Sequence, residues 1–355
     1  MFIIKRLVIA LSKKIEKVFL FYHNTQPHRT VMPIKFNVIL HSIPNVITGT
    51  VIKRPSAVCK SPYVADIQQI QTSSSSSSSS SIQSIVAHAP ALGCCGLSDA
   101  NHSVVCSQIP TTKTTQQKTC SHRIELAIHT NVLGNTVFVG INPKLAETIV
   151  EKALCHNHIQ CLKHIQSYSR ETTFLNSRFD FSGVDADGRQ FVLEVKNVPL
   201  ADVVDVTKKE RKAIEKENRS AALNNTNNTM IAYFPDGYRK TLKEDEVVSE
   251  RALKHIKELQ ELKQTSYNNN NNNNIRTILC FVIQREDVAQ FQPSKIDAIY
   301  RTAVYEAWRA GVEVITLQTK WRINNKGAAI CEYLSSCELP ITMTDEYGPL
   351  PLLSE

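Results

Sequence analysis

The sequence predicts a mixed α+β or α/β protein, and three stretches predict it. Residues 177–200, SRFDFSGVDADGRQFVLEVKNVPL, alternate apolar and polar side chains on both sides of an Asp/Gly turn, the pattern of a β-hairpin. Residues 277–321 read as strand, helix, strand. The apolar run TILCFVIQR precedes IDAIYRTAVYEAWRAG, a helix ended by Gly311, and then VEVITLQTKW; this is a βαβ crossover with parallel strands. Ahead of both, RIELAIHT (123–130) and TVFVGIN (136–142) read as strands. A chain of 355 residues has room for two modest domains.

The formal charge of +8 is uneven. Residues 1–44 carry seven Lys/Arg (Lys5, Arg6, Lys13, Lys14, Lys17, Arg29, Lys35) against Glu16 alone, leaving 34 basic and 32 acidic residues elsewhere. The body is nearly neutral, so overall charge is no argument for nucleic acid and any such surface is a local patch. The basic opening fits an organelle-targeting leader for mitochondrion or plastid, and an unstructured extension or amphipathic surface helix fits equally. Either way the protein reads as intracellular, in an organelle or else in cytoplasm or nucleus. Its longest apolar run, 7–11, is too short for a membrane span, so no membrane partner is expected. Ten cysteines without framework spacing read as mostly free thiols.

Taken in order, Ser73–Ser81 is a low-complexity loop and 111–118 a second polar one. Pro143 opens an amphipathic helix, KLAETIVEKAL, whose Glu147 or Glu151 could supply an extra acid to a metal site, though a solvated face is the expectation. In CHNHIQCLKH, Cys155, His158, Cys161 and His164 recur every three residues. Four ligands along one helical stretch drift round its circumference and cannot close a zinc tetrahedron, so a linker helix end is the expectation. Thr207–Ser220 is a mixed-charge helical run. Ser249 caps a helix to Leu262 whose stripe is Leu253, Ile256, Leu259 and Leu262. Asn268–Asn274 is a homopolymer loop before the buried strand at 277.

The hairpin carries three polar residues that folding does not need. With Ala186-Asp187-Gly188 as a three-residue loop and Gly188 at positive φ, Asp180 faces Glu194 on the side of Lys196. A two-residue loop shifts the pairing by one and puts Asp180 on the other side. Two carboxylates can hold Mg2+ or Mn2+, which polarises a phosphodiester and lowers the pKa of a water, while the lysine orients the nucleophile. E-x-K alone is weak: it recurs at Glu210/Lys212 and Glu261/Lys263, and an exposed strand with alternating charges gives the same text.

The surrounding residues are more specific. SRFDF followed by FVLEVKNVPL resembles the sugar fermentation stimulation protein family, with its SR-(apolar)-DF and EVK-(S/N)-V-x-L pattern. The resemblance continues in AYFPD (232–236), SERALKHIKEL (249–259), FQPSKIDAIY (291–300) and AGVEVI (310–315), and spans roughly Asn45 to Ile341. It implies an N-terminal OB-like β-barrel over 45–132 followed by a restriction-endonuclease-like mixed α/β domain, of the PD-(D/E)xK nuclease type, over 133–341. A tail, 342–355, follows. It further implies a DNA-binding, metal-dependent nuclease with nucleic acid, DNA first, as partner. Asp180, Glu194 and the Val195 carbonyl would be the metal ligands, and Asp180, Glu194 and Lys196 the catalytic set. Lys53, Arg54 and Lys60 on the barrel, and Arg178, Arg251, Lys254 and His255 beyond it, would contact nucleic acid, beside the plainer readings of a solvated edge strand for the first three and a charged outer helix face for the last three. The family's polar residues after Pro90 are Ala91, Leu92 and Cys94 here, a common Asn is Glu147, and charged insertions flank AYFPD. Two other readings stand beside this one: a non-catalytic nucleic-acid-binding or regulatory protein that keeps the nuclease fold, and a structural Asp180–Lys196 salt bridge.

Overall fold

The computed structural model describes residues 38–70, 84–91, 94–110, 119–207, 209–210, 212–213, 229–235, 242–243, 245–268 and 275–343. The expected leader up to residue 37, the poly-Ser and 111–118 loops, most of the charged insertions, the poly-Asn run and the tail beyond 343 lie outside them. Strand β1 (Ile39–Ile43) falls in the stretch expected to be leader, and instead pairs antiparallel with β16 (Ala329–Ser336). Its apolar Leu40 and Ile43 join a core, which a leader would leave uncovered.

Five strands close a barrel. β2 (Ile47–Lys53), β3 (Val64–Gln69), β4 (Ser84–His88), β5 (Ser103–Gln108) and β6 (His122–Thr130) run in the order β4-β3-β2-β5-β6. β6 returns to β4 through Ala87–His122 and His88–Arg123. Closure removes the free edges, and five strands suit the OB type. Alternate residues such as Val51, Ile67, Ala87, Val104 and Ile124 turn inward and fill it. β7 (Thr136–Gly140) adds to β6.

Pro143 then begins α1 (Pro143–Cys155), capped by Asn142, whose side chain accepts the Lys144 N–H. The helix ends at Cys155, so the four spaced Cys and His residues run through its end and a short 3-10 turn, Gln160–Leu162.

A seven-stranded sheet follows in the order β1-β16-β15-β13-β10-β9-β8. Its strands are β8 (Ser167–Phe174), β9 (Ser177–Val184), β10 (Gln190–Asn197), β13 (Arg276–Ile283), β15 (Glu313–Ile323) and β16. β10, β13 and β15 are parallel, and β8, β9, β16 and β1 are antiparallel. The parallel steps are bridged by α2 (Glu250–Asn268) and α3 (Ala298–Arg309), the crossovers that parallel strands require. Ser249 caps α2 as expected, its hydroxyl accepting from Ala252 N. A small sheet of β11 (Ala201–Asp202), β12 (Met230–Phe234) and β14 (Val288–Pro293) flanks the crossovers.

β13 shows why the layers hold. Leu279, Phe281 and Ile283 pack with Ile256, Leu259, Val304 and Ala307 of α2 and α3, while Ile278, Cys280 and Val282 pack with Ile149, Ala153 and Leu154 of α1. The unbroken apolar run therefore fills two cores, one on each face. Each such side chain contributes about 1.5–3 kcal/mol.

The β9–β10 register is the three-residue-loop one, from Val184 opposite Gln190 to Phe181 opposite Leu193. Gly188 has φ +79, and Asp185 closes the turn by accepting from Asp187 N and Arg189 N at 3.0 and 2.9 Å. Gly183 sits between two neighbours, and a Cβ there would lie 2.1 Å from the Ser167 carbonyl oxygen and 2.8 Å from the Phe191 ring. A neighbouring strand's backbone cannot swing away. Gly183→Ala is expected to lower stability by about 2–3 kcal/mol. Gly188→Ala, in open space but at positive φ, should lower it by about 1 kcal/mol; urea midpoints measure both.

Candidate functional site

Register alone would set Asp180 opposite Glu194 in the next pair of the β9–β10 ladder. The ladder ends there instead, and Val195 N donates to the Asp180 carboxylate at 2.7 Å. Phe181 packs in the α1 core, but Phe179 packs in the α2/α3 core. The two-residue alternation thus breaks at Asp180, and its carboxylate fills the gap where β9 parts from β10. This differs from the expected flush face and keeps Asp180 beside Glu194.

Glu194 is buried in β10. Its Oε1 accepts from Lys196 Nζ at 2.5 Å and from His255 Nδ1 of α2. A carboxylate only accepts, so the imidazole carries its proton on Nδ1. The other oxygen, Oε2, is buried with no hydrogen-bond partner. Leaving such an acceptor unmet costs about 1–3 kcal/mol.

The two acids are driven apart. Burial, then the Glu194 charge, push the Asp180 carboxyl up to about 7, against the Val195 N–H and the Lys196 charge. Burial also pushes Glu194 up, but Lys196 and His255 outweigh it and hold Glu194 below its ordinary value. The site therefore keeps one fixed negative charge and one that a cation can release by displacing a proton. A buried acceptor without a donor, beside a carboxyl that resists ionising, fits a hard divalent cation. Among the described residues, no three His, Cys, Asp or Glu side chains form a metal cluster, so the hairpin offers its two carboxylates and backbone oxygen.

The remaining residues fall into three groups. Lys53, Lys60 and Tyr63 are exposed on the barrel, whereas Arg54 is committed inward. Its Nε donates to the Pro62 carbonyl at 2.8 Å and its Nη atoms to Ser98 Oγ and the Ala91 carbonyl, which ties the loop after β2 to the turn near residue 94. Arg178 and Arg251 are exposed, Arg178 lying 3.4 Å from Glu171. Lys254 is exposed and donates to the Asn176 carbonyl at 2.8 Å. His255 departs from expectation: it is buried, its ring 5.7 Å from that of Phe179, and faces Glu194 rather than solvent. On α1, Glu147 and Glu151 are not simply solvated, for Arg170 of β8 pairs with both at 3.0 and 2.7 Å. The sequence also hid Asp205, a buried carboxylate that accepts from Gln292, Ser294 and the Lys295 N–H and fixes the FQPSK segment.

The sequence profile of the sugar fermentation stimulation protein RE domain matches residues 144–208 and 202–325. The sugar fermentation stimulation protein homolog of Clostridium tetani is 30% identical over 185 residues, 52% of this chain and 61% of that protein. The homolog from Desulforamulus reducens is 26% identical over 240 residues, covering 67% and 77%. The chain thus spans 61% of the length of the C. tetani relative and 60% of that from Clostridium acetobutylicum. In fold it is similar to Pyrococcus furiosus SfsA, solved in complex with Ca2+, with a TM-score of 0.56 and 16% identity over 84% of this chain and 98% of that one. No helix among the described residues is long and apolar enough to cross a membrane.

Asp180 has a stability consequence of definite sign. It ionises at about 7 folded, above its ordinary 3.8, so the folded chain binds this proton more tightly. Its contribution is most favourable below 3.8 and is lost as pH rises through about 7. Asp180→Asn keeps an acceptor for Val195 N without the charge. It should melt above the parent at about pH 8, by on the order of 1–3 kcal/mol, with the gap closing toward about pH 4. A variant less stable than the parent at the higher pH would favour the salt-bridge reading.

Proposed function

The chain belongs to the sugar fermentation stimulation protein family, and on that premise we propose that it is a metal-dependent nuclease that binds DNA and hydrolyses its phosphodiester bonds. The observation that carries this reading is the pairing of a neutral-leaning Asp180 with an ionised Glu194 whose Oε2 is buried and unmet. Asp180, Glu194 Oε2 and the Val195 carbonyl would hold Mg2+ or Mn2+. The complex of the P. furiosus relative with Ca2+ supports a hard divalent ion. Such an ion supplies Lewis-acid stabilisation of charge on the phosphate and lowers the pKa of a neighbouring water.

The chain's own residues do the rest. Lys196 Nζ, anchored 2.5 Å from Glu194 Oε1, directs a donor toward the attacking water or the phosphate oxygen. Water adds to phosphorus, one P–O bond breaks, and the departing oxygen takes a proton. Lys254 and Arg251 lie exposed on α2, which carries His255, and Arg178 on β9, which carries Asp180, and they would meet the phosphate backbone. The exposed Lys53, Lys60 and Tyr63 give the barrel a basic and aromatic surface of its own. That surface favours the second reading, a binding module without catalysis.

Labelled single- and double-stranded DNA separates the two. The full chain should cleave with Mg2+ or Mn2+ and not with EDTA, and Asp180→Ala should reduce cleavage at least about a hundredfold with DNA affinity within a few-fold of the parent. Binding without cleavage by the parent in either metal would favour the module. Lys53→Glu/Lys60→Glu should weaken binding and flatten its salt dependence.

A further inference from the structure

Resting on the metal-site reading above, we infer that His255 is the positioning residue of this centre: its Nδ1–H holds Glu194 Oε1 so that Oε2 remains for the cation. Four observations converge on this. First, His255 and Lys196 meet the same carboxylate oxygen, and Lys196 Nζ lies 3.4 Å from His255 Nδ1. Oε1 is therefore doubly met while Oε2 has no partner, an asymmetry that a carboxylate free to rotate would not keep. Second, the imidazole cannot drift. It comes from α2, where it neighbours the buried Ile256, and its ring lies against Phe179.

Third, Phe179 reaches that position because the alternation of β9 breaks at Asp180. One local distortion thus places the Asp180 carboxylate and supports the ring that orients Glu194. Fourth, Lys196 is the only other donor to Glu194 in the structure's hydrogen bonds among the described residues, and the proposed reaction needs its ammonium for the water or phosphate. With His255 also on Oε1, the carboxylate is held in place while the Lys196 ammonium engages the water or phosphate. His255 thus acts through Glu194 and touches neither substrate nor ion. Outer-shell hydrogen bonds of this kind typically change metal affinity 10- to 100-fold.

The test compares three full-chain variants by calorimetric titration with Mn2+ alone. In His255→Asn the amide nitrogen can occupy the place of Nδ1, whereas in His255→Gln it reaches where Nε2 lies; His255→Leu has no donor. Asn should bind Mn2+ within about threefold of the parent, and Gln and Leu about 10–100-fold more weakly. Melting temperatures in EDTA and far-UV circular dichroism report folding independently, and His255→Gln keeps the comparison usable where Leu disturbs the core. Equal Mn2+ affinity in parent, Gln and Leu would overturn the inference while leaving the metal site in place. Asn as weak as Gln would also overturn it, since the Nδ1 donor would then not be what matters. A parent that binds no Mn2+ would remove the metal-site reading itself, and this inference with it.

Discussion

The centre depends on one hydrogen bond, from Val195 N–H to the carboxylate of Asp180. A backbone donor in β10 that would ordinarily face a strand carbonyl takes a side-chain oxygen instead. β9 can then leave the ladder without stranding a buried donor. The two strands part there, and Asp180 is held beside Glu194 with most of its water removed. Burial and the neighbouring charge then make the second ionisation unfavourable.

The rest of the fold supports that junction. β10 is fixed in register by β13 from Phe191 to Asn197, and β13 is buried on both faces. Glu194 is thereby carried on an inner strand rather than a mobile loop, where a site can be held to tight tolerance. α2 crosses the same face and brings His255 to the carboxylate across sixty-one positions of sequence. On the other face α1 brings Glu147, whose charge is also felt at Asp180, and Arg170 pairs with it and with Glu151. Glu194 Oε2 is thus left without a donor beside a carboxyl that resists ionisation.

Much of this was legible in the chain because local rules determine it. The Asp185–Gly188 turn chemistry marks the hairpin and allows two loops, and the three-residue one that forms sets a register leading Asp180 toward Glu194. Ser249 and Pro143 mark helix starts by satisfying or lacking terminal N–H groups. What was not legible depends on tertiary neighbours. The switch of Phe179 to the opposite core from Phe181 follows from which helices cover each face, and strict alternation cannot anticipate it. His255 looked like a surface contact because its flanking text is charged, though its place next to the apolar stripe of α2 hinted at burial. Arg54 looked available because two of its partners, the Ala91 carbonyl and the Ser98 hydroxyl, lie 37 and 44 positions away in sequence. β1 was hidden in a basic opening whose composition masked a short apolar strand.

The most direct test of the centre is calorimetric titration of Mn2+ into the full-length chain beside its Asp180→Asn/Glu194→Gln variant, in two buffers of different ionisation enthalpy near neutral pH. One Mn2+ should bind the parent and release a fraction of a proton, because Asp180 is part-protonated there and must ionise to act as a ligand. The double variant should bind none. Equal binding by both proteins, or binding to the parent with no proton released, would contradict the account.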